Sequence, residues 1–217
     1  MCANYRPTAR DLLQQRFGVK PPADDYKPEC WPGYLAPIIR PDGQGGRECV
    51  LARFGLIPPW ARDTAIARKT YNARVETVAE KPSFKHAWRH GQFCLVPMEA
   101  FYEPSWESGK AVRWRIGMSD AGAFAVAALW ERWRNPASGS NELSFSMLTL
   151  NADSHSLMRR FHRPEDEKRM VTVLPPDEYD NWLHATADFA RTFAVPFPAE
   201  AMSAEAQPLP PRRRAAR

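Results

Sequence analysis

No apolar run in this 217-residue chain approaches a membrane span. The longest, Ala123 to Trp130, falls far short of the ~20 residues a spanning helix needs. The first twenty residues carry charges throughout and contain no signal-type apolar segment. The chain is therefore expected to stay in the cytoplasm, with no membrane partner. Cysteine is scarce: Cys2, Cys30, Cys49 and Cys94 show no CxxC spacing, and in a reducing compartment they predict free thiols. None of the five histidines stands at zinc-ligand spacing from a cysteine, so neither a metal nor another cofactor is expected. Internal repeats are also lacking, which sets aside solenoids and propellers.

What is present is globular material. Apolar residues make up 44% and include eight tryptophans, enough for a core within one large domain or two small ones. The net charge of +5 permits a polyanionic partner without requiring one, because four of the arginines (Arg212, Arg213, Arg214 and Arg217) sit at the C-terminal end. Pro196 to Arg217 is rich in Pro, Ala and Arg and lacks apolar periodicity. It is expected to be a disordered basic tail behind a single domain over residues 2–195.

The pattern within that domain is mostly strand. Val112, Trp114 and Ile116 alternate with Arg113 and Arg115, and Leu143, Phe145 and Met147 alternate with Ser144 and Ser146. Further strands are expected at Arg47–Ile57, Gln92–Val96, Ala123–Trp130 and Arg169–Leu174. Lys20 to Gly46 reads as loop with short extended pieces. Helices are expected after Thr8 to Gly18, at Ser83–Arg89, from Asp153 to Phe161, and from Pro176 through Trp182. Strands joined by short turns favour antiparallel pairing. The fold class is α+β, a single domain with a curved, mostly antiparallel, barrel-like sheet and flanking helices.

Cys2, directly behind Met1, carries the most chemistry. Loss of Met1 leaves a free α-amine beside a thiol, a 1,2-aminothiol that condenses with an aldehyde to an imine and then closes a thiazolidine. An α-amine titrates near about 7.7–8.0 against about 10.4 for lysine, so far more of it is nucleophilic at neutral pH. The alternative is a small buried hydrophobe, the commoner fate of an intracellular cysteine. Asn72 and Arg74, two apart, share a face if the segment is extended, or else fix a loop as a structural pair. Glu103 beside Phe101 and Tyr102 suits a desolvated proton-transfer group, or equally an ion pair with an arginine. His162 precedes Arg163-Pro164 at a helix end, where it serves either acid–base work or surface capping. His86, His90, His155 and His184 read as structural or solvated. Trp60, Trp106 and Trp133 lie in loop-like or Arg-rich sequence of the kind that stacks single-stranded bases, whereas Trp114 and Trp130 read as core.

Taken together these segments resemble the SOS-response-associated peptidase (SRAP) family, whose members protect abasic sites in single-stranded DNA. The landmarks are Met1-Cys2, Phe54 to Ala61, Asn72 to Thr77, Cys94 to Pro97 leading to Phe101-Tyr102-Glu103, Leu129-Trp130-Glu131, Leu148-Thr149, and His162-Arg163-Pro164 before Met170-Val171. They span residues 2 to about 174 in family order. The resemblance implies that Cys2 attacks the ring-opened abasic deoxyribose and Asn72 orients its amine. Glu103 would hold the α-ammonium and shuttle its proton, with His162 as acid or base. Arg74 would bind a phosphate and Thr149 would line the site. It further implies a curved sheet with a basic groove for single-stranded DNA, self-removal of Met1, and weak strand cleavage by β-elimination; the protein is expected to be a monomer that joins the nucleoid when DNA-bound.

The sequence departs from the family at Asn4, where an arginine usually contacts DNA; Arg6 is the candidate substitute. It departs again at Pro104, where a tryptophan usually follows the glutamate and Trp106 stands two residues on. Two other readings stand beside this one. An N-terminal-cysteine hydrolase or amidotransferase would need a glutamine pocket and a synthetase domain for which the chain is too short. A non-catalytic DNA-binding module would be indifferent to Cys2.

Overall fold

A computed structural model describes residues 2–209. In chain order the elements are β1 (Tyr5–Pro7), α1 (Arg10–Phe17), β2 (Leu35–Pro41), β3 (Arg47–Phe54), β4 (Asn72–Arg74), α2 (Lys85–Arg89) and β5 (Phe93–Ser105). They continue with β6 (Val112–Met118), β7 (Phe124–Arg134), β8 (Asn141–Asn151), β9 (Arg169–Val171), β10 (Val173–Leu174), α3 (Tyr179–Leu183) and β11 (Met202–Ala206).

Strands β7, β8, β3, β2 and β5 follow one another in the sheet, and β5 pairs again with β7, which closes a five-stranded barrel. The pairings are antiparallel except where β3 and β4 each run parallel to β8. Side chains of opposite parity divide two cores between the faces of this sheet. Ile38, Phe54, Val96, Val126 and Met147 fill one core, with Cys2 and Tyr5 among them. Ile39, Leu95, Leu129 and Leu148 face the other, where α1, α2 and α3 cover them through Leu13, Phe17, Trp88 and Trp182. Trp182 is fully buried and its indole N–H donates to the Cys94 carbonyl at 2.9 Å. Burial of such a ring stabilises the helix on the sheet by roughly 1.5–3 kcal/mol. Among the described residues no helix is long and apolar enough to cross a membrane.

Several local expectations differ from the structure. The strand expected at Gln92–Val96 runs to Ser105, because β5 is lined by neighbours on both edges and both faces. The segment expected as loop contains the seven-residue β2. The helix expected over Asp153–Phe161 is reduced to a 3-10 turn at Met158–Arg160. His155 accounts for it: its Nδ1 accepts the N–H groups of Leu157 and Met158, competing with a helical ladder. Thr8 does not cap α1; the cap position is Ala9, and its N–H donates to Glu99 Oε1 at 2.8 Å.

The tail drawn from Pro196 requires correction. Met202 to Ala206 form β11 on the open edge of β6, and Gln207 N–H donates to the Arg113 carbonyl at 2.9 Å. An unsatisfied sheet edge recruited a segment that has no apolar periodicity of its own. Residues 210–217, with all four terminal arginines, lie outside the described residues.

Gly55 ends β3 with φ of +115°, and a Cβ built there would meet the Ala67 carbonyl oxygen at 2.1 Å. Both the backbone conformation and the space are closed to a side chain. Gly55→Ala is expected to lower stability by more than about 2 kcal/mol, read as a fall in the urea midpoint at unchanged m-value.

Candidate active site

The segment before β1 is fixed from two sides. Tyr5 pairs with Phe101 on β5, and on its other edge exchanges hydrogen bonds with Cys30, at 3.2 and 2.8 Å. Tyr102 N–H donates to the Asn4 carbonyl at 2.9 Å. These bonds carry Cys2 to the core face of the sheet, where it is 2% exposed and its thiol donates to the Asn4 carbonyl at 3.6 Å. Burial pushes the thiol's pKa well up, and the negative charge of Glu103 pushes it further. At neutral pH the sulfur is therefore a protonated thiol, with a carboxylate as its electrostatic neighbour.

Glu103 stands near the end of β5, paired across the ladder with Trp114 on β6, and is 3% exposed. Its Oε2 lies 3.0 Å from Nε2 of His162. A histidine is therefore one partner of this carboxylate. His162 itself is buried and has φ of +65°, a left-handed conformation uncommon for a residue with a side chain. Its N–H donates to the Pro104 carbonyl at 2.8 Å, and the neighbouring residues Ser105 and Phe161 form a β-bridge. The strained residue is held by the strand that carries Glu103. Surface capping, the alternative for His162, does not describe it.

Asn72 and Arg74 are extended as expected, in β4, opposite Met147 and Thr149 of β8. That register places Asn72 on the same core face as Cys2, with Ala73 on the other. The Asn72 amide donates to the Tyr71 carbonyl at 2.9 Å, while its Oδ1 is buried with no hydrogen-bond partner among the described residues. Arg74 is half-exposed and pairs with Glu167 at 2.7 Å. Thr149 is 1% exposed; its hydroxyl donates to the Ala73 carbonyl and accepts from Arg169, so it ties β4 to β8.

Arg6 is not brought to this group. The pleat of β1 turns Tyr5 inward and Arg6 outward, where it pairs with Glu99 at 2.9 Å. The guanidinium near position 4 comes from Arg113 instead. It donates to Asn4 Oδ1 at 2.9 Å and Glu29 at 2.9 Å, and lies 3.4 Å from the centre of the Tyr102 ring. The alternation of β6 marked Arg113 as a wet-face residue but gave no sign of this partner.

Tyr71 was also missed. It packs on the core that contains Cys2, and its phenol is raised first by burial and then by the charges of Glu103 and Cys2. Its position next to Asn72 was the only available signal.

The tryptophans divide. Trp60 is 58% exposed, and Trp106 is half-buried with Arg163 4.8 Å from its ring centre. Trp133 is buried and its indole N–H donates to the Ala61 carbonyl at 2.8 Å, so it belongs to the core and is not a stacking surface. Trp114 and Trp130, expected as core, are only half-buried, each with an arginine over the ring. Among the described residues no three or more His, Cys, Asp or Glu side chains form a metal-binding group.

A family model described as SOS response associated peptidase (SRAP) matches residues 1–209. A Bacillus subtilis protein named abasic site processing protein YoaM is 30% identical, over 94% of this chain and 89% of its own length. A second B. subtilis protein, abasic site processing protein YoqW, is 33% identical over 89% of this chain and 85% of its own. A crystal structure of a protein from Bordetella bronchiseptica superposes with a TM-score of 0.90 at 38% identity, covering 96% of this chain and all of that one.

Proposed function

Since this chain belongs to the SOS response associated peptidase (SRAP) family, we propose that it shields abasic sites in single-stranded DNA by forming a covalent thiazolidine through Cys2. What supports this reading is the placement of a buried Cys2 beside the carboxylate of Glu103, itself 3.0 Å from His162. The relatives process abasic sites, and an abasic deoxyribose in its open form presents an aldehyde, the electrophile for which a 1,2-aminothiol is suited.

The chemistry divides between amine and thiol. Loss of Met1 frees the α-amine, which adds to the aldehyde carbon; water leaves as the imine forms. Glu103 and His162 move the proton between amine, hydroxyl and leaving water. Asn72 Oδ1, buried without a partner among the described residues, accepts from the amine or from the ring nitrogen formed later. The thiol then adds across the C=N bond. Sulfur bonds to carbon, the S–H proton passes to nitrogen, and a five-membered ring results with one water lost overall. A protonated thiol suits this order, since it leaves the first attack to the amine. Arg74, half-exposed, holds a phosphate after releasing Glu167. The protein acts as a monomer in the cytoplasm. Self-removal of Met1 and slow β-elimination from the imine belong to the same reading.

Intact mass of the untagged protein mixed with a single-stranded oligonucleotide bearing one abasic site tests it. The expected species is the chain without Met1 plus the oligonucleotide minus one water. A version with two residues retained ahead of Cys2 is expected to give none, and its equal reactivity would sink the proposal.

A further inference from the structure

Next to His162 the surface opens into a cavity of about 570 Å³ that holds charges not used by the reaction above. His162 forms part of its wall, and the same histidine lies 3.0 Å from Glu103. A strand joined at Cys2 has to leave in some direction, and this opening reaches His162, the histidine assigned above to proton transfer. Its lining includes Arg159, Arg160 and Lys168 against Glu107 and Asp153.

The two acids are occupied. Glu107 accepts both forks of the Arg160 guanidinium, at 3.0 and 3.1 Å. Asp153 accepts the Lys168 backbone N–H at 2.9 Å through one oxygen and the Asn151 amide at 2.8 Å through the other. The Lys168 ammonium is held by the Arg163 carbonyl. Arg159 differs: it is exposed, and among the described residues its side chain has neither a hydrogen bond nor an ion pair.

The frame around this cation is rigid. Arg159 N–H donates to the His155 carbonyl at 3.1 Å, and His155 is itself fastened to the Phe197 carbonyl at 2.8 Å. The Ser105–Phe161 bridge and the bond from His162 to Pro104 fix the opposite wall, from which Trp106 projects. A guanidinium left without a carboxylate, in a cavity that also holds the Arg160–Glu107 pair, the Lys168 ammonium and an indole, matches a phosphodiester with its adjoining nucleotide.

We propose that this cavity is a subsite for a phosphate of the DNA strand next to the abasic residue, with Arg159 as its principal contact. The inference rests on the reading that an abasic strand binds at Cys2, and it adds the path by which that strand leaves.

The test uses an oligonucleotide carrying tetrahydrofuran in place of the abasic sugar. It lacks the aldehyde, so binding is measured apart from crosslinking. Arg159→Gln is expected to weaken binding about fivefold to tenfold at low salt and to reduce the slope of log K against log salt by about 0.7, the value for one phosphate contact on a single strand. A neutral methylphosphonate at one flanking position should weaken the wild type to a similar extent and leave Arg159→Gln unaffected there. A Kd within twofold of wild type, or losses that add at every methylphosphonate position, would overturn the subsite. Failure of the covalent reading has a different signature: normal binding of this oligonucleotide, with no adduct on a true abasic site.

Discussion

Cys2→Ser is expected to eliminate the stable adduct while retaining one that borohydride can trap. Serine keeps the α-amine, so the imine still forms, and its hydroxyl is a far weaker nucleophile than sulfur toward C=N. Ring closure then fails and the imine is left to hydrolyse or to β-eliminate. The product should shift from a heat-stable crosslink to nicked oligonucleotide, with a crosslink recovered only when reductant is present from the start. The substitution suits the site, because the hydroxyl can donate to the Asn4 carbonyl that now accepts from the thiol. A heat-stable adduct at the wild-type level would show that sulfur is not the ring-closing atom. Acetylation of the N-terminus distinguishes the two nucleophiles, since it should remove both the reducible and the stable product.

Glu103→Gln should slow adduct formation by about 10²- to 10⁴-fold, the range for loss of a positioned proton-transfer group. The amide has the shape of the carboxylate and can still meet His162, so the substitution removes charge and proton affinity with little change in packing. Glu103 is 3% exposed and its role is in proton transfer, so the loss should persist at saturating DNA. A second measurement separates chemistry from architecture. Glu103 is one of the charges that raise the Cys2 thiol, so its neutralisation lowers that pKa. The pH midpoint for alkylation of Cys2 by iodoacetamide should move down in the variant. A rate within threefold of wild type would remove Glu103 from the chemistry.

Much of the domain was legible from local patterns. The alternations at Val112–Ile116 and Leu143–Met147 became β6 and β8, and the landmarks from Cys2 to His162 marked the family. Three features were not legible, each for the same kind of reason. The strand at Met202–Ala206 exists because β6 had a free edge, and nothing in its own residues indicates that edge. The Thr149 hydroxyl is shared between Ala73 and Arg169, partners distant in the chain that its local sequence does not indicate. Arg6 was the nearest arginine to Asn4 in sequence, yet strand pleating turned it outward and brought Arg113 instead.

By itself the sequence determined which groups exist: an aminothiol once Met1 is lost, the Glu103 carboxylate beside Phe101 and Tyr102, one histidine before Arg163-Pro164, and a family pattern joining them. These follow from residue identity and spacing. Only the tertiary structure decided that Cys2 is sealed from water, that Glu103 meets His162 at 3.0 Å, and that His162 is held in a left-handed conformation. Desolvation and Coulomb interaction act through space, and the distances that set them arise when β1, β5 and the 161–164 turn pack together.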